Sequence, residues 1–152
     1  MMRHQMTELR RARSDEADVL ADIYLASRTA NVPAIPPPAH TPADVRAWMR
    51  ETVLTSCEVW VAVDGDDRPV AMMALDGNHV EQLYVAPDAT GKRLGALLLQ
   101  LAQSGHRDLD LWAFESNSRA IRFYERHGFR PVRRTAGENE EHAPDVLLRW
   151  ER

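Results

Sequence analysis

The chain has 152 residues, enough for one domain with a single sizeable core. Hydrophobic residues make up 44% and charged residues 28%, the balance of a globular protein, and the formal charge of −4 argues against a nucleic-acid binder, whose footprint is basic. No apolar run approaches the roughly 18 residues of a membrane helix, so a membrane is not an expected partner either.

The opening MMRHQM carries charge but no apolar segment of a secretory leader; residues 1–6 read as a disordered or tag-like extension of one domain spanning 1–152. Cys57, the single cysteine, has no partner for a disulfide, which suits a reduced, cytoplasmic location. Thr7 to Arg13 alternates and is predicted as a first strand. Ser14 is placed to cap a helix with Asp15 and Glu16 in its first turn and Leu20, Ile23, Tyr24 and Ser27 on one face. A loop, Asn31 to His40, holds the triple proline 36–38. Thr41-Pro42-Ala43-Asp44 then starts a second helix, with Val45, Trp48, Met49 and Thr52 at helical spacing.

Glu58 to Asp64 and Pro69 to Leu75 form a hairpin across the acidic turn Asp64 to Arg68. Asp76-Gly77 turns into a third strand of this group, His79 to Val85, which Pro87 ends. Its alternation places His79, Glu81, Leu83 and Val85 on one face. Gly91 to Ser104 is predicted as a helix with Leu94, Leu97, Leu98 and Leu101 as its apolar stripe, Leu109 to Phe114 as a strand and Asn117 to His127 as a helix. Gly128 sits at the left-handed position after that helix, followed by Phe129 as its hydrophobic companion. Phe129 to Thr135 and Asp145 to Trp150 close the chain as two strands. The order β-α-α-β-β-β-α-β-α-β-β is that of an α/β protein. Its mixed, mostly antiparallel sheet has seven strands and helices on both faces, and a parallel pair lies where His79–Val85 and Leu109–Phe114 are joined by a crossover helix.

The turn from Val85 to Ala96 contains a Gly-Lys pair, but Lys92 is followed by Arg93 and no glycine stands five residues before Gly91, which excludes a Walker loop. Gly91 and Gly95 alone do not make a dinucleotide fingerprint. What remains is a strand, a proline, a short turn and a helix N-terminus, whose free backbone N–H groups and dipole form an anion site, with Lys92 and Arg93 at its rim. A plain strand-to-helix turn explains the stretch alone equally well.

Two motifs decide between them. Val85, Pro87, Gly91 and Gly95 follow the pattern V-x-P-x-x-Q/R-G-x-G-x-G/A, with Thr90 in place of Gln or Arg and Arg93 in place of the middle glycine. Asn117, Ala120, Phe123, Tyr124, Gly128 and Phe129 follow N-x-x-A-x-x-F-Y-x-x-x-G-F at every position. Together they resemble the GNAT acyltransferases, which move an acyl group from acyl-coenzyme A to an amine, and with the element order the resemblance covers nearly the whole chain.

The resemblance implies acetyl-coenzyme A (acetyl-CoA) as co-substrate, no metal, and a parallel strand pair that splays to admit the pantetheine arm. Its pyrophosphate would lie at Thr90, Gly91, Lys92, Arg93, Leu94, Gly95 and Ala96, and its arm along Leu83, Val85 and Asn117. The splay is expected after Val85, where Pro87 removes a ladder donor. Asn117 has a second reading as a helix cap. The resemblance assigns Tyr124 to the coenzyme sulfur as proton donor or hydrogen-bond partner; the alternative is a core tyrosine satisfied by backbone.

For the base, Glu81 stands first and His79 second, with a bound water as a further alternative; a carboxylate needs partial burial to become a better base. His40 and Glu141 lie in loops expected to flank the acceptor, and the acidic run Glu138, Glu140, Glu141 and Asp145 favours a cation. The four tryptophans are expected as core or rim residues outside the site. The reading is an N-acetyltransferase with a small-molecule amine as acceptor, because the proline-containing loop is expected to narrow the cleft. A protein N-terminal or lysine acetyltransferase, and a non-catalytic acyl-CoA-binding module, are the alternatives. A homodimer stays open.

Overall fold

A computed structural model describes residues 7–36 and 39–152. The extension at 1–6 and two of the three prolines fall outside them.

Seven strands form one sheet in the order β1-β2-β3-β4-β5-β7-β6. They are β1 (Glu8–Arg11), β2 (Glu58–Val63), β3 (Pro69–Asp76), β4 (His79–Val85), β5 (Asp108–Phe114), β6 (Arg130–Thr135) and β7 (Asp145–Glu151). Every pairing is antiparallel except β4 with β5, as the element order predicts. The helices are α1 (Ala17–Ala30), α2 (Pro42–Trp48), α3 (Leu54–Ser56), α4 (Leu94–Ser104) and α5 (Ser118–Arg126). The sheet separates two cores. Leu20, Ile23, Val45 and Met49 from α1 and α2 cover Val59, Val61, Val63 and Met72. On the other face Leu94, Leu98, Leu99 and Ala102 of α4 cover Met73, Leu109, Leu111 and Leu148, with Phe123 and Tyr124 of α5 packed against them.

Local chemistry shifts several predicted boundaries. Ser14 does not cap the first helix; a short 3-10 turn, Ser14–Glu16, precedes α1, and the backbone N–H of Arg13 donates to Glu16 at 2.7 Å. Glu16 is held by a two-pronged bond from Arg10 at 2.8–2.9 Å, and this bond with the Arg13 N–H keeps its carboxyl below the usual range. Thr41 caps α2 as predicted, accepting from Asp44 N–H at 3.2 Å. The helix then passes through a π turn, Met49–Val53, whose extra residue rotates the buried stripe, so Val53 faces the core and Thr52 faces solvent.

Gly128 occupies φ +90° at the end of α5. A Cβ there would lie 3.0 Å from Trp150 Cδ1 and in a conformation L-residues disfavour. Gly128→Ala is therefore expected to lower unfolding free energy by roughly 1–3 kcal/mol, read from the midpoint of a urea titration.

Candidate active site

The site begins at an irregularity in β4. Ala74 pairs with Gln82 but Leu75 pairs with Val80, which leaves Glu81 as an unpaired bulge residue. The bulge breaks the alternation expected from sequence. Val80, Leu83 and Val85 all pack on the α4 side, whereas Tyr84 packs on the α1 side. His79 is turned away from Leu83 and Val85; its Nδ1 bonds Asp110, whose neighbours Leu109 and Leu111 point into the α4 core.

β4 and β5 share one bridged pair, His79 with Asp110, and Asp110 N–H donates to Asn78 O at 3.0 Å. The strands therefore part immediately after His79, well before the position after Val85 expected from sequence. The cause is the bulge, which bends β4 away from β5 before Pro87 is reached. The β5-facing backbone of β4 has no strand partner over this length.

The gap is a cleft of about 600 Å³ lined by Leu83, Val85, Thr90, Gly91, Arg93, Leu94, Gly95, Ala96, Asn117 and Tyr124 among others. These are the residues placed there from sequence, except Lys92, which is exposed outside the lining. The helix α4 starts at Leu94, later than the predicted Gly91, because Gly91 at φ +83° and Arg93 at φ +62° are left-handed and cannot continue a right-handed helix. Arg93 thus holds a glycine-like conformation where the sequence pattern has glycine. The first helical bond runs from Leu97 N–H to Arg93 O at 3.1 Å, so the N–H groups of Leu94, Gly95 and Ala96 have no helical acceptor. A Cβ built on Gly91 meets nothing within 4 Å, which leaves open space over this cradle. Free donors, a helix dipole and that space fit a diphosphate.

Asn117 caps its helix and also borders the cleft: its side chain accepts from Ala120 N–H at 3.3 Å. Tyr124 packs edge-on against Phe123 at 5.2 Å and Phe129 at 5.6 Å between ring centres. Its hydroxyl has no hydrogen-bond partner among the described residues, and the residue lines the cleft. Burial raises this phenol well above its ordinary pKa near 10, and the nearby Tyr84 adds to the effect.

A second cavity of about 890 Å³ opens on the α1 side. His40 and Glu141, expected in loops flanking the acceptor, both border it. His40 Nε2 meets Glu140 at 2.9 Å, and Glu141 forms an ion pair at 3.2 Å with Arg28, a side chain 5% exposed. Asp44, Glu81, Glu138 and Asp145 also line it, giving an acidic wall. His79 reaches neither cavity.

Sequence reasoning missed Arg28, Tyr24, Gln82 and Tyr84, all on this wall, and the tryptophans excluded from the site include two, Trp48 and Trp112, that line it. Burial pushes the Tyr84 phenol up to about 12, with Tyr24 adding to it. The two cavities share Glu81, Tyr84, Trp112, Ala113 and Phe114, and so meet across the parted strands. Among the described residues no group of histidine, cysteine and carboxylate side chains is gathered to hold a metal ion, and no helix is long and apolar enough to cross a membrane.

A sheet opened at its one parallel pair, with an anion cradle on one side and a second cavity meeting it from the other, is the architecture of an acyltransferase. A family model described as acetyltransferase (GNAT) domain matches residues 55–131. The chain belongs to the GNAT acetyltransferase family and is an N-acetyltransferase. It is 32% identical to the peptidyl-lysine N-acetyltransferase YjaB of Escherichia coli, over 84% of each chain. It is 27% identical to the peptidyl-lysine N-acetyltransferase YiaC of the same organism, over 93% of this chain and 95% of that one. The solution structure of apo-form YjaB from Escherichia coli superposes with a TM-score of 0.79 at 28% identity, covering 95% of this chain and 97% of the other. An acetyltransferase from Thermus thermophilus gives 0.76 at 17% identity over 97% of both chains and shares the fold.

Proposed function

We propose that the protein transfers an acetyl group from acetyl-CoA to the ε-amine of peptidyl lysine. The observation that carries this reading is the meeting of the two cavities at Glu81, Tyr84 and Trp112–Phe114, beside a Tyr124 hydroxyl with no partner of its own among the described residues. The acceptor expected from sequence was a small molecule. Lysine in a peptide is better supported, because the relatives that share most of this chain's length carry that activity in their names and because the acceptor wall is acidic.

Acetyl-CoA supplies the acetyl group as a thioester. The free N–H groups of Leu94, Gly95 and Ala96 hold the diphosphate, and the rim guanidinium of Arg93 adds charge. The unpaired backbone edge at Leu83 and Val85 binds the pantetheine arm as a strand would, with the Asn117 amide as a further partner. N–H groups of the same edge polarise the carbonyl. Glu81, at the junction and with its side chain 43% exposed, draws the ammonium in and takes its proton, directly or through water. Tyr124 gives a proton to the departing sulfur; burial keeps it a phenol throughout the neutral range. The nitrogen–carbon bond forms, the carbon–sulfur bond breaks, and the thiol leaves protonated. Cys57 is outside both cavities and takes no part.

The test is mass spectrometry of two acceptor sets offered with acetyl-CoA: lysine peptides with blocked N-termini, and small polyamines and amino alcohols. Acetylation of the lysine peptides is expected. Turnover confined to the small amines would overturn the lysine assignment.

A further inference from the structure

Converting an ammonium group and a thioester to an amide and a thiol takes two protons from the nitrogen and places one on the sulfur. The other must reach solvent. Glu81, which receives it, borders both cavities. With acetyl-CoA in one and the acceptor in the other, an exit for that proton has to lie outside both. His79 stands there: it lines neither cavity, and its side chain is 25% exposed. Its Nε2 lies 3.9 Å from Glu81 Oε1. That is longer than a hydrogen bond, and a turn of the Glu81 side chain, well exposed and carried on the unpaired bulge residue, closes it.

The other ring nitrogen decides which proton the ring carries. Nδ1 bonds Asp110 of β5, and a carboxylate only accepts, so Nδ1 holds the hydrogen and Nε2 is left as a base facing Glu81. Arg149, opposite Asp110 on β7, bonds Asp108 and Glu151 instead, which leaves Asp110 to the ring. The remaining charged neighbours in the sheet are Glu81 on the same strand and Asp76, opposite His79 on β3. His79 and Asp110 are also the one bridged pair between β4 and β5, so the fold fixes the ring at the point where the strands part.

We infer that His79 and Asp110 form a proton exit from the active site, acting through Glu81. Glu81 takes a proton from the acceptor nitrogen; its O–H bond then breaks as the Nε2–H bond forms. The ring is now an imidazolium paired with the Asp110 carboxylate. Nε2 releases the proton to water at the exposed side of the ring, which returns the ring to its starting tautomer and leaves Glu81 a carboxylate. Neither His79 nor Asp110 touches a substrate, so both are positioning residues. The inference rests on Glu81 being the base of the proposed reaction and holds for any amine acceptor.

The experiment is a double-mutant cycle on the full chain, with kcat and KM measured for acetyl-CoA and a lysine peptide blocked at its N-terminus, and again with a small polyamine. His79→Gln and Asp110→Asn should each lower kcat about 10-fold, less than loss of the base itself, and leave KM for both substrates within about 2-fold. Asparagine keeps the size of Asp110 and a bond to the ring but has no charge to pair with the imidazolium. In a Glu81→Gln background each change should cost under about 2-fold, because the exit then has no proton to carry. Coenzyme A binding, read by calorimetry, should stay as in the parent. If His79→Gln does not fold, Asp110→Asn decides. Losses that persist in the Glu81→Gln background, or that come with weakened coenzyme A binding, overturn the inference and make the pair a fastening for the two strands. A large loss for Glu81→Gln beside unchanged rates for His79→Gln and Asp110→Asn sinks the exit alone. Full activity of Glu81→Gln sinks the base assignment and the exit with it. Turnover of the polyamine but not the peptide sinks the lysine reading, and the same cycle on the polyamine then decides the exit.

Discussion

Tyr124→Phe is expected to lower kcat about 100-fold while leaving the affinity for coenzyme A within about 2-fold of the parent, the lower end of what a positioned proton donor contributes. The phenyl ring keeps the contacts with Phe123 and Phe129, so melting temperature should hardly move. Only the hydroxyl is lost, and it has no partner among the described residues to leave unsatisfied. Free-thiol release under saturating acetyl donor reads the rate, and calorimetry with coenzyme A reads the binding. Unchanged turnover would remove Tyr124 from the chemistry and return it to the core role that its packing also allows. Loss of binding together with loss of rate would make it a scaffold for the cleft. Unchanged binding with no turnover in the parent protein would favour a non-catalytic acyl-CoA-binding module.

The raised pKa of Tyr124 has a second consequence. A phenol whose folded-state pKa lies above its unfolded value near 10 stays protonated in the native protein while the unfolded chain ionises. Its contribution to stability is complete below about pH 10 and is lost as pH rises through the folded value, and Tyr84 acts in the same direction. Alkaline loss of activity should therefore coincide with unfolding followed by circular dichroism.

Glu81→Gln should reduce kcat/KM for a cationic acceptor by roughly 100-fold, the lower end of what general-base assistance contributes. Glutamine keeps the size of the side chain and the bulge, but neither accepts a proton at neutral pH nor attracts an ammonium group. Because Glu81 is well exposed and unpaired in the sheet, the variant is expected to fold like the parent. His79→Gln provides the contrast. His79 reaches neither cavity, so its replacement should cost less activity than that of Glu81. A larger loss at His79 than at Glu81 would contradict the assignment of the base.

Much of this arrangement is legible in the sequence because it depends on local rules. The cap at Thr41, the left-handed glycine after α5 and the hairpin between β2 and β3 follow from residue chemistry at fixed spacing. Asn117 and Tyr124 stand out in the sequence through a six-position motif, and both line the cleft. What escaped depends on partners distant in the chain. The bulge at Glu81 is a mismatch between β4 and β3, and nothing in the alternation of HVEQLYV announces it. It turned His79 away from Leu83 and moved the splay to the start of the strand.

Arg28 escaped for a similar reason. A single arginine near a helix C-terminus has the pattern of a solvated residue matched to the helix dipole. Its burial comes from Glu141, Phe114 and Pro36, which only the fold brings to it. Arg93 shows the opposite case: it departs from the motif in the sequence, yet its backbone takes the left-handed conformation that a glycine adopts freely.

The account depends on the free N–H groups at the start of α4 gripping a diphosphate so that the sulfur reaches Tyr124. Amide chemical shifts recorded while coenzyme A is titrated into the protein test this most directly. The account predicts saturable shifts of Leu94, Gly95 and Ala96, with Leu83, Val85 and the Tyr124 ring moving in the same titration. Saturable binding that leaves those amides still, or no change at millimolar coenzyme A, would contradict it.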